Sequence, residues 1–598
     1  MRIGARLGRM LGLFVFGLAS SFPLWAQSPG TIATVAGDGT AGNTAESGAA
    51  TAAKLETAYG VVMDAQGNLY IADSWNHSIR KVAPGGTVSR SAGSNYEGTY
   101  GDGSTATYAN LSYPRGLAID AGGNLYIADS GNSKVRKISP DGIIRAFAGT
   151  GTDGYSGDGG AATAARLKFP RALAVDSAGN VYIADTWNYR VRKVTPGGTI
   201  STVAGDGTYG YSGDGTLATS ASIGLIQALA VDPQDNLVLL DGYNHCLRKV
   251  TANGIITTIA GGSTAGYSGD GGPATAARFS YPRGLAIDFL GNIFVADSFN
   301  HRIRQIKPDG TISTLAGTGA AGYSGDNGPA TAAQLNFPYG LAVSLRGDVF
   351  VTDLRNYRVR KVVMATAGAA PGISAGGVVN AATFKGPVSP GAIISIFGQG
   401  FATRAFYAPS LPLPTSLGGI IVTVGSKAIP LLYVDSKQIN AQLPFSTAPG
   451  RTSVKVNFVG TESATLSLDV SFVAPGIFWY GESQGAILNQ DYAVNTPQNP
   501  AARGSVVIIY ATGQGAVTPA VADGAAAPSS TLARTQVTPV VTIGGKEASV
   551  QASCLAPGFV GLWQINVSVP AGAPTGNAVP VQITLAGAAS NTVTMAIR

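Results

Sequence analysis

The chain repeats itself every 56 residues, and no other feature limits its fold so strongly. The Asp that closes a "GLAID"-like phrase stands at Asp64, Asp120, Asp176, Asp232 and Asp288, with Ser344 in the sixth place, each step being 56 residues. A second phrase, "YIAD", puts Asp73, Asp129, Asp185, Asp241, Asp297 and Asp353 at the same step. A third, "RVRKV", puts Arg80, Arg136, Arg192, Arg248, Arg304 and Arg360 in register, and a fourth, "TISTVAG", does so for Ala36, Ala92, Ala148, Ala204, Ala260 and Ala316. Six copies without slippage call for a repeat architecture in which each unit leans on its neighbours.

Each copy holds four short runs of strand character. In the fifth copy these are "GLAID", "NIFVAD", "HRIRQI" and "TISTLAG", rich in β-branched and aromatic residues and bounded by turn residues. "DAGGN" and "PDG" are tight-turn chemistry, with Gly and Asn able to take positive φ. Four antiparallel strands repeated six times predict a six-bladed β-propeller over 27–363. The phase predicts how it closes. An isolated fourth strand, 31–37, opens the series, and the last copy, 337–363, stops after three strands. The early strand completes the last blade and removes two exposed sheet edges.

"PRGLAIDAGGNLYIADSGNSKVRKI" at 114–138 resembles the NHL repeat. The insert "GYSGDGGPATAA" resembles that of bacterial exported NHL proteins and teneurin-like propellers. The resemblance covers about 31–363 and implies a propeller used mostly for binding, although a few relatives are lyases or lactone hydrolases.

The first 26 residues read as a secretory signal: three arginines in "MRIGARLGRM", the apolar run "LGLFVFGLASSF", and a small residue at Ala26. The apolar run is shorter than the ~20 residues a membrane span needs, and no later stretch qualifies. An exported product follows: secreted, periplasmic or associated with the cell surface, without stable membrane insertion. Export and a net charge of only +7 over 598 residues argue against a nucleic-acid partner. The two cysteines, Cys246 and Cys554, fall in different expected domains and read as buried free thiols.

Beyond Val363 the text changes. Residues 364–377 are Gly- and Ala-rich and read as a linker. The remainder holds few charges and repeats loosely. "PGAIISIFGQGF" (390–401) answers "RGSVVIIYATGQG" (503–515), and "QINAQLP" (438–444) answers "QINVSVP" (564–570). Two tandem immunoglobulin-like β-sandwich domains are predicted, 378–474 and 475–598. The phrases resemble IPT/TIG domains, and the whole tail resembles the Solibacter-type C-terminal region of acidobacterial exported proteins. The fold class is therefore all-β: a six-bladed propeller followed by two sandwiches.

Catalysis needs unlike groups brought to one point. His77, His245 and His301 invite a zinc reading, and one NHL relative, the peptide-amidating lyase, does use a histidine-bound zinc. Yet these three occupy one repeat position, filled elsewhere by Ser133, Tyr189 and Tyr357, so the ring holds them apart. The Asp and Arg rows read as a repeated turn clamp. Asp102, Asp158, Asp214, Asp270 and Asp326 are expected to fix the insert, with Glu46 in their place in the first copy. The "DAGGN" turns lack the acidic run of a calcium loop. No residue is assigned to catalysis or metal binding, and no cofactor is expected.

Topology places the binding surface. The residue before each "GLAVD" phrase and the turn after each "YIAD" phrase share one face. The first set, nearest the axis, is Tyr59, Arg115, Arg171, Gln227, Arg283 and Tyr339. The second, further out, includes Trp75, Trp187, Tyr243 and Phe299. Arginine inside aromatics suits a protein, peptide or polysaccharide ligand. The expected function is non-enzymatic binding, with the C-terminal domains as spacer or attachment module. A propeller hydrolase or lyase acting on an extracellular substrate is the alternative.

Overall fold

The computed structural model describes residues 30–44, 47–364, 371–402, 405–408, 410–458 and 461–598. The expected signal peptide and Glu46 lie outside these residues. Two compact units emerge, 27–367 and 368–598. No α-helix occurs among the described residues, and no helix there is long and apolar enough to cross a membrane.

The first unit is a six-bladed propeller. In blade 3 the strands are Pro170–Val175, Val181–Asp185, Arg190–Val194 and Ile200–Ala204, hydrogen-bonded in that order. Second and third strands pair without interruption from Val181↔Val194 to Asp185↔Arg190. Third and fourth strands pair with a register shift beside Arg192. Such a bulge adds local twist, as each blade of a closed ring needs. Closure follows the sequence phase: Ile32–Ala36 pairs with Arg358–Val362, from Ile32↔Val362 to Ala36↔Val359, with the same shift. The early strand is thus the fourth strand of blade 6 in register as well as position.

The core lies between blades. Alanines on one face of a blade receive larger side chains from the next, as where Ala172, Ala174 and Ala184 of blade 3 meet Ile226, Leu229 and Leu239 of blade 4. Small against large at facing positions lets twisted sheets interdigitate. The "PATAA"-like inserts follow the fourth strands and carry the chain to the next blade. Each makes a single 3-10 turn, such as Ala162–Ala164, pinned to the following blade by Ala162 N donating to Gly198 O at 2.8 Å.

The second unit begins earlier than expected. Gly372–Asn380 is a nine-residue strand paired with Ile393–Gln399, so the linker does not extend to 377. Gly, Ala and Ser lower strand propensity without forbidding an extended path, and a register shift between Ile373 and Val378 absorbs the irregular stretch. Two sheets then form a sandwich over 372–470. A second sandwich, 476–597, is built around Trp563, Ile565 and Val567. The loose sequence echo is structural: Gln438 Nε2 donates to Asn440 Oδ1 at 2.8 Å, and Gln564 Nε2 donates to Asn566 Oδ1 at 3.0 Å. The two sandwiches are joined by buried polar contacts. Ile393 N donates to Thr512 Oγ1 at 2.8 Å and Gly524 N donates to Gln442 Oε1 at 2.6 Å.

Candidate functional site at the propeller axis

The structure brings the six inner residues of the sequence reading together. Tyr59, Arg115, Arg171, Gln227, Arg283 and Tyr339 line one axial cavity of about 70 Å³, along with the two residues that follow each of them. They converge because each stands within one residue of the start of the innermost strand of its blade. Gly60, Gly116, Gly284 and Gly340 keep the strands close: at Gly284 a Cβ would collide with Tyr339 O.

Among the described residues, no acidic side chain lines this cavity. Gln227 Oε1 accepts from Arg171 Nη1 at 3.0 Å and from Arg283 Nη1 at 2.7 Å. The Arg115 guanidinium lies over the Tyr59 ring at 4.1 Å, and Arg283 lies over Tyr243 at 5.1 Å. The Nε atoms of Arg115, Arg171 and Arg283 are buried with no hydrogen-bond partner among the described residues. Burial, together with the charges of Arg115 and Arg283, holds Arg171 below the usual arginine range.

Aromatics surround the arginines. Trp75, Trp187 and Phe299 occupy the short turns after the second strands and remain 55%, 48% and 50% exposed. Tyr243 is half-buried beneath Arg283. Trp75, Tyr243 and Phe299 lean on an aromatic of the next blade, namely Tyr113, Tyr281 and Phe337, while Trp187 leans on Phe169 at the start of its own blade, with ring centroids 5.0–5.9 Å apart in all four pairs.

That intermediate ring of Tyr113, Phe169, Tyr281 and Phe337 escaped the sequence reading. Its members have φ of +43° to +58°, in the left-handed region, although each precedes a proline. Bulky residues rarely adopt this conformation, at a cost of about 1–3 kcal/mol, and a following proline disfavours helical φ/ψ further. The preceding blade compensates. His77 Nδ1 accepts from Tyr113 N at 3.4 Å, His245 Nδ1 from Tyr281 N at 3.2 Å, and His301 Nδ1 from Phe337 N at 3.1 Å. Ser133 Oγ does the same for Phe169 N at 3.3 Å. The histidines are inter-blade caps. Burial pulls their pKa values down, which suits a neutral ring accepting at Nδ1. The signal available in the sequence was an aromatic before proline at the 56-residue step, in "YPR", "FPR" and "FPY".

The second arginine row lies away from the axis. Arg192 is fully buried and bridges Asp158 of the insert at 2.6 Å and Asp185 of its own blade at 3.5 Å. Arg136, Arg304 and Arg360 each bridge two aspartates in the same way. In blade 1, Asn43 takes the insert position, accepting from Arg80 Nη2. The blade aspartates also accept backbone N–H bonds, as Asp185 Oδ1 does from Lys168 N at 2.7 Å. Burial raises Asp185 to about 6, against the pull of Asn188, Lys168 N and Arg192. These pairs clamp inserts to blades. The "DAGGN" aspartates are saturated locally: Asp120 accepts from Asn124 N and Nδ2 and from Tyr126 Oη at 2.7–3.0 Å. Cys246 and Cys554 are buried free thiols.

Residues 96–156, 150–212 and 263–321 match the model of the Teneurin NHL domain, and 59–82 match the NHL repeat. The first unit is an NHL-repeat propeller. Residues 378–473 match the IPT/TIG domain, which places that fold in the first sandwich. Among relatives, the chain is similar to Teneurin-3 of Danio rerio, 28% identical over 381 residues, and to Teneurin-m of Drosophila melanogaster, 27% identical over 361 residues. These matches cover 56% and 54% of this chain and 13% of each teneurin. It is also similar to Protein SUPPRESSOR OF QUENCHING 1, chloroplastic, of Arabidopsis thaliana, 28% identical over 283 residues, with 45% of this chain and 26% of that protein covered. Among solved structures, the NHL propeller is similar to an auxiliary nutrient binding protein from Bacteroides ovatus, at 15% identity and a TM-score of 0.42, covering 56% of this chain and 76% of that one. It is also similar to streptogramin B lyase, at 14% identity and a TM-score of 0.35, covering 52% and 95% respectively.

Proposed function

We propose that the protein is an exported, non-enzymatic binding protein whose NHL propeller captures an acidic ligand on its axial face. The observation that carries this reading is the electrostatic imbalance of the axial cavity: among the described residues, three arginines line it and no carboxylate does. Arginine pairs bidentately with carboxylate, sulfate or phosphate, and desolvated walls strengthen the attraction. The half-exposed rings of Trp75, Trp187 and Phe299 offer flat apolar faces to the rest of a peptide or glycan. The C-terminal sandwiches serve as spacer or attachment module.

Replacing Arg115, Arg171 and Arg283 together by alanine tests the reading. The expected variant keeps a near-normal melting temperature and loses retention on acidic polysaccharide and acidic peptide. A folded variant that binds as before, or one that simply unfolds, would overturn it.

A further inference from the structure

Blade 4 breaks the repeat at two positions that meet. Gln227 stands where three blades carry arginine and two carry tyrosine. Gly242 stands where blades 1, 2, 3 and 5 carry a serine or threonine whose hydroxyl donates to a carbonyl of the next blade. A Cβ at 242 would lie 2.6 Å from Gln227 Cγ and would also press on Pro282 O. No side chain fits there while Gln227 keeps its place, so the two departures form one device. Gln227 is 5% exposed, and its Nε2 donates to Leu225 O at 2.8 Å. That bond orients the amide, and Oε1 is left to gather Arg171 and Arg283.

We infer that the axial cavity, granted the binding reading above, is a receptor for a single oxyanion head group, with Gln227 as the positioning residue that makes it one. Two guanidiniums drawn to one point repel each other. A glutamate there would hold them and cancel their charge, as the aspartates do for the buried arginine row. A glutamine holds them through a neutral dipole and leaves the charge to be met from outside. Size sets the rest. A cavity of about 70 Å³ accepts a carboxylate or sulfate group, whereas pockets that enclose a whole small ligand run to roughly 300–1,000 Å³. The remainder of the ligand therefore lies outside, over the aromatic turns. Carboxylated and sulfated polymers share this chemistry.

The test is retention of the full exported chain on beads of polygalacturonate, dextran sulfate and neutral dextran. The expected result is retention on one or both charged polymers and none on dextran; which polymer binds assigns carboxylate or sulfate. Gln227→Glu keeps length and both arginine bonds but adds a charge. It gives up the Nε2 donation to Leu225 O, so its melting temperature is measured alongside, and it is expected to lose retention by about tenfold or more. Gln227→Met removes the oxygen that gathers Arg171 and Arg283 without changing charge and is expected to lose retention by about threefold or more. A Gln227→Glu chain that binds like the unsubstituted one overturns the inference. A Gln227→Met chain that binds like the unsubstituted one also overturns it, because the arginines would then need no oxygen to gather them. If Gln227→Glu melts early, Arg283→Met takes its place, with unchanged retention as the overturning result. A starting chain held by neither charged polymer overturns the binding reading itself and this inference with it.

Discussion

Two sets of arginines run round the propeller in the same rhythm, and their surroundings are opposite. The row from Arg80 to Arg360 is fully buried, and its typical member lies between an insert aspartate and a blade aspartate. Arg115, Arg171 and Arg283 sit at the axis, only partly buried, where a single glutamine and several rings meet them. A buried charge that has met its opposite is a structural element, held because breaking the pair is costly. A charge gathered at a cavity and left without an opposite is a demand on whatever enters. Residue type alone would have called both sets equivalent; the neighbours separate them.

The largest effect is expected in the buried row. Arg192→Met leaves Asp158 and Asp185 without their cation, and Asp185 is fully buried. Removing one partner of a buried pair costs about 3–5 kcal/mol. The propeller's denaturation midpoint should fall sharply, and a loss below about 1 kcal/mol would erase the contrast between the two rows. Arg171→Met is expected to move stability by less than about 1 kcal/mol in either direction, since it abandons no buried carboxylate and relieves repulsion from Arg115 and Arg283. A collapse of the propeller in that variant would show that the axial arginines are architecture after all.

The contrast also marks what the sequence could tell. The 56-residue step was enough for blade number, closure and the six residues of the axial ring, because a repeat fixes equivalent positions in space once its strand order is known. The Asp–Arg clamp followed from the same register. Three features did not follow. Asn43 holds Arg80 in blade 1, and an amide three residues before the 56-residue step does not show in a register of acids. The intermediate aromatic ring depends on the sign of φ, and a residue before proline argues for the opposite sign. The Gln227–Gly242 device reads as two unrelated departures until both are seen in contact. The end of the linker was also misjudged, because Gly, Ala and Ser can build an edge strand when a partner such as Ile393–Gln399 lies beside them.

The smallest expected effect concerns how the face is held in shape, and it runs through the histidines. His77, His245 and His301 accept a hydrogen bond at Nδ1 from the strained aromatic residue of the next blade. Burial lowers all three pKa values from 6.5. A base whose folded pKa is depressed binds protons more readily when unfolded. Its contribution is fully present above 6.5 and is lost as pH falls through the folded value. A protonated ring also has no lone pair at Nδ1 to accept the bond. The blade aspartates push the other way. Their folded values are raised to about 6 from 3.8, so their contribution is greatest below 3.8 and declines as pH rises through about 6. The full chain sums both trends, so the histidine part needs a difference. Replacing the three histidines by serine copies the cap that Ser133 already supplies to Phe169. Melting temperatures of the two chains, taken from pH 7.5 to pH 5, should converge or cross as pH falls, because only the histidine chain loses caps on the way down. A gap that stays constant over that range would mean the imidazoles do not titrate with folding, and that the axial face keeps its aromatic ring by packing alone.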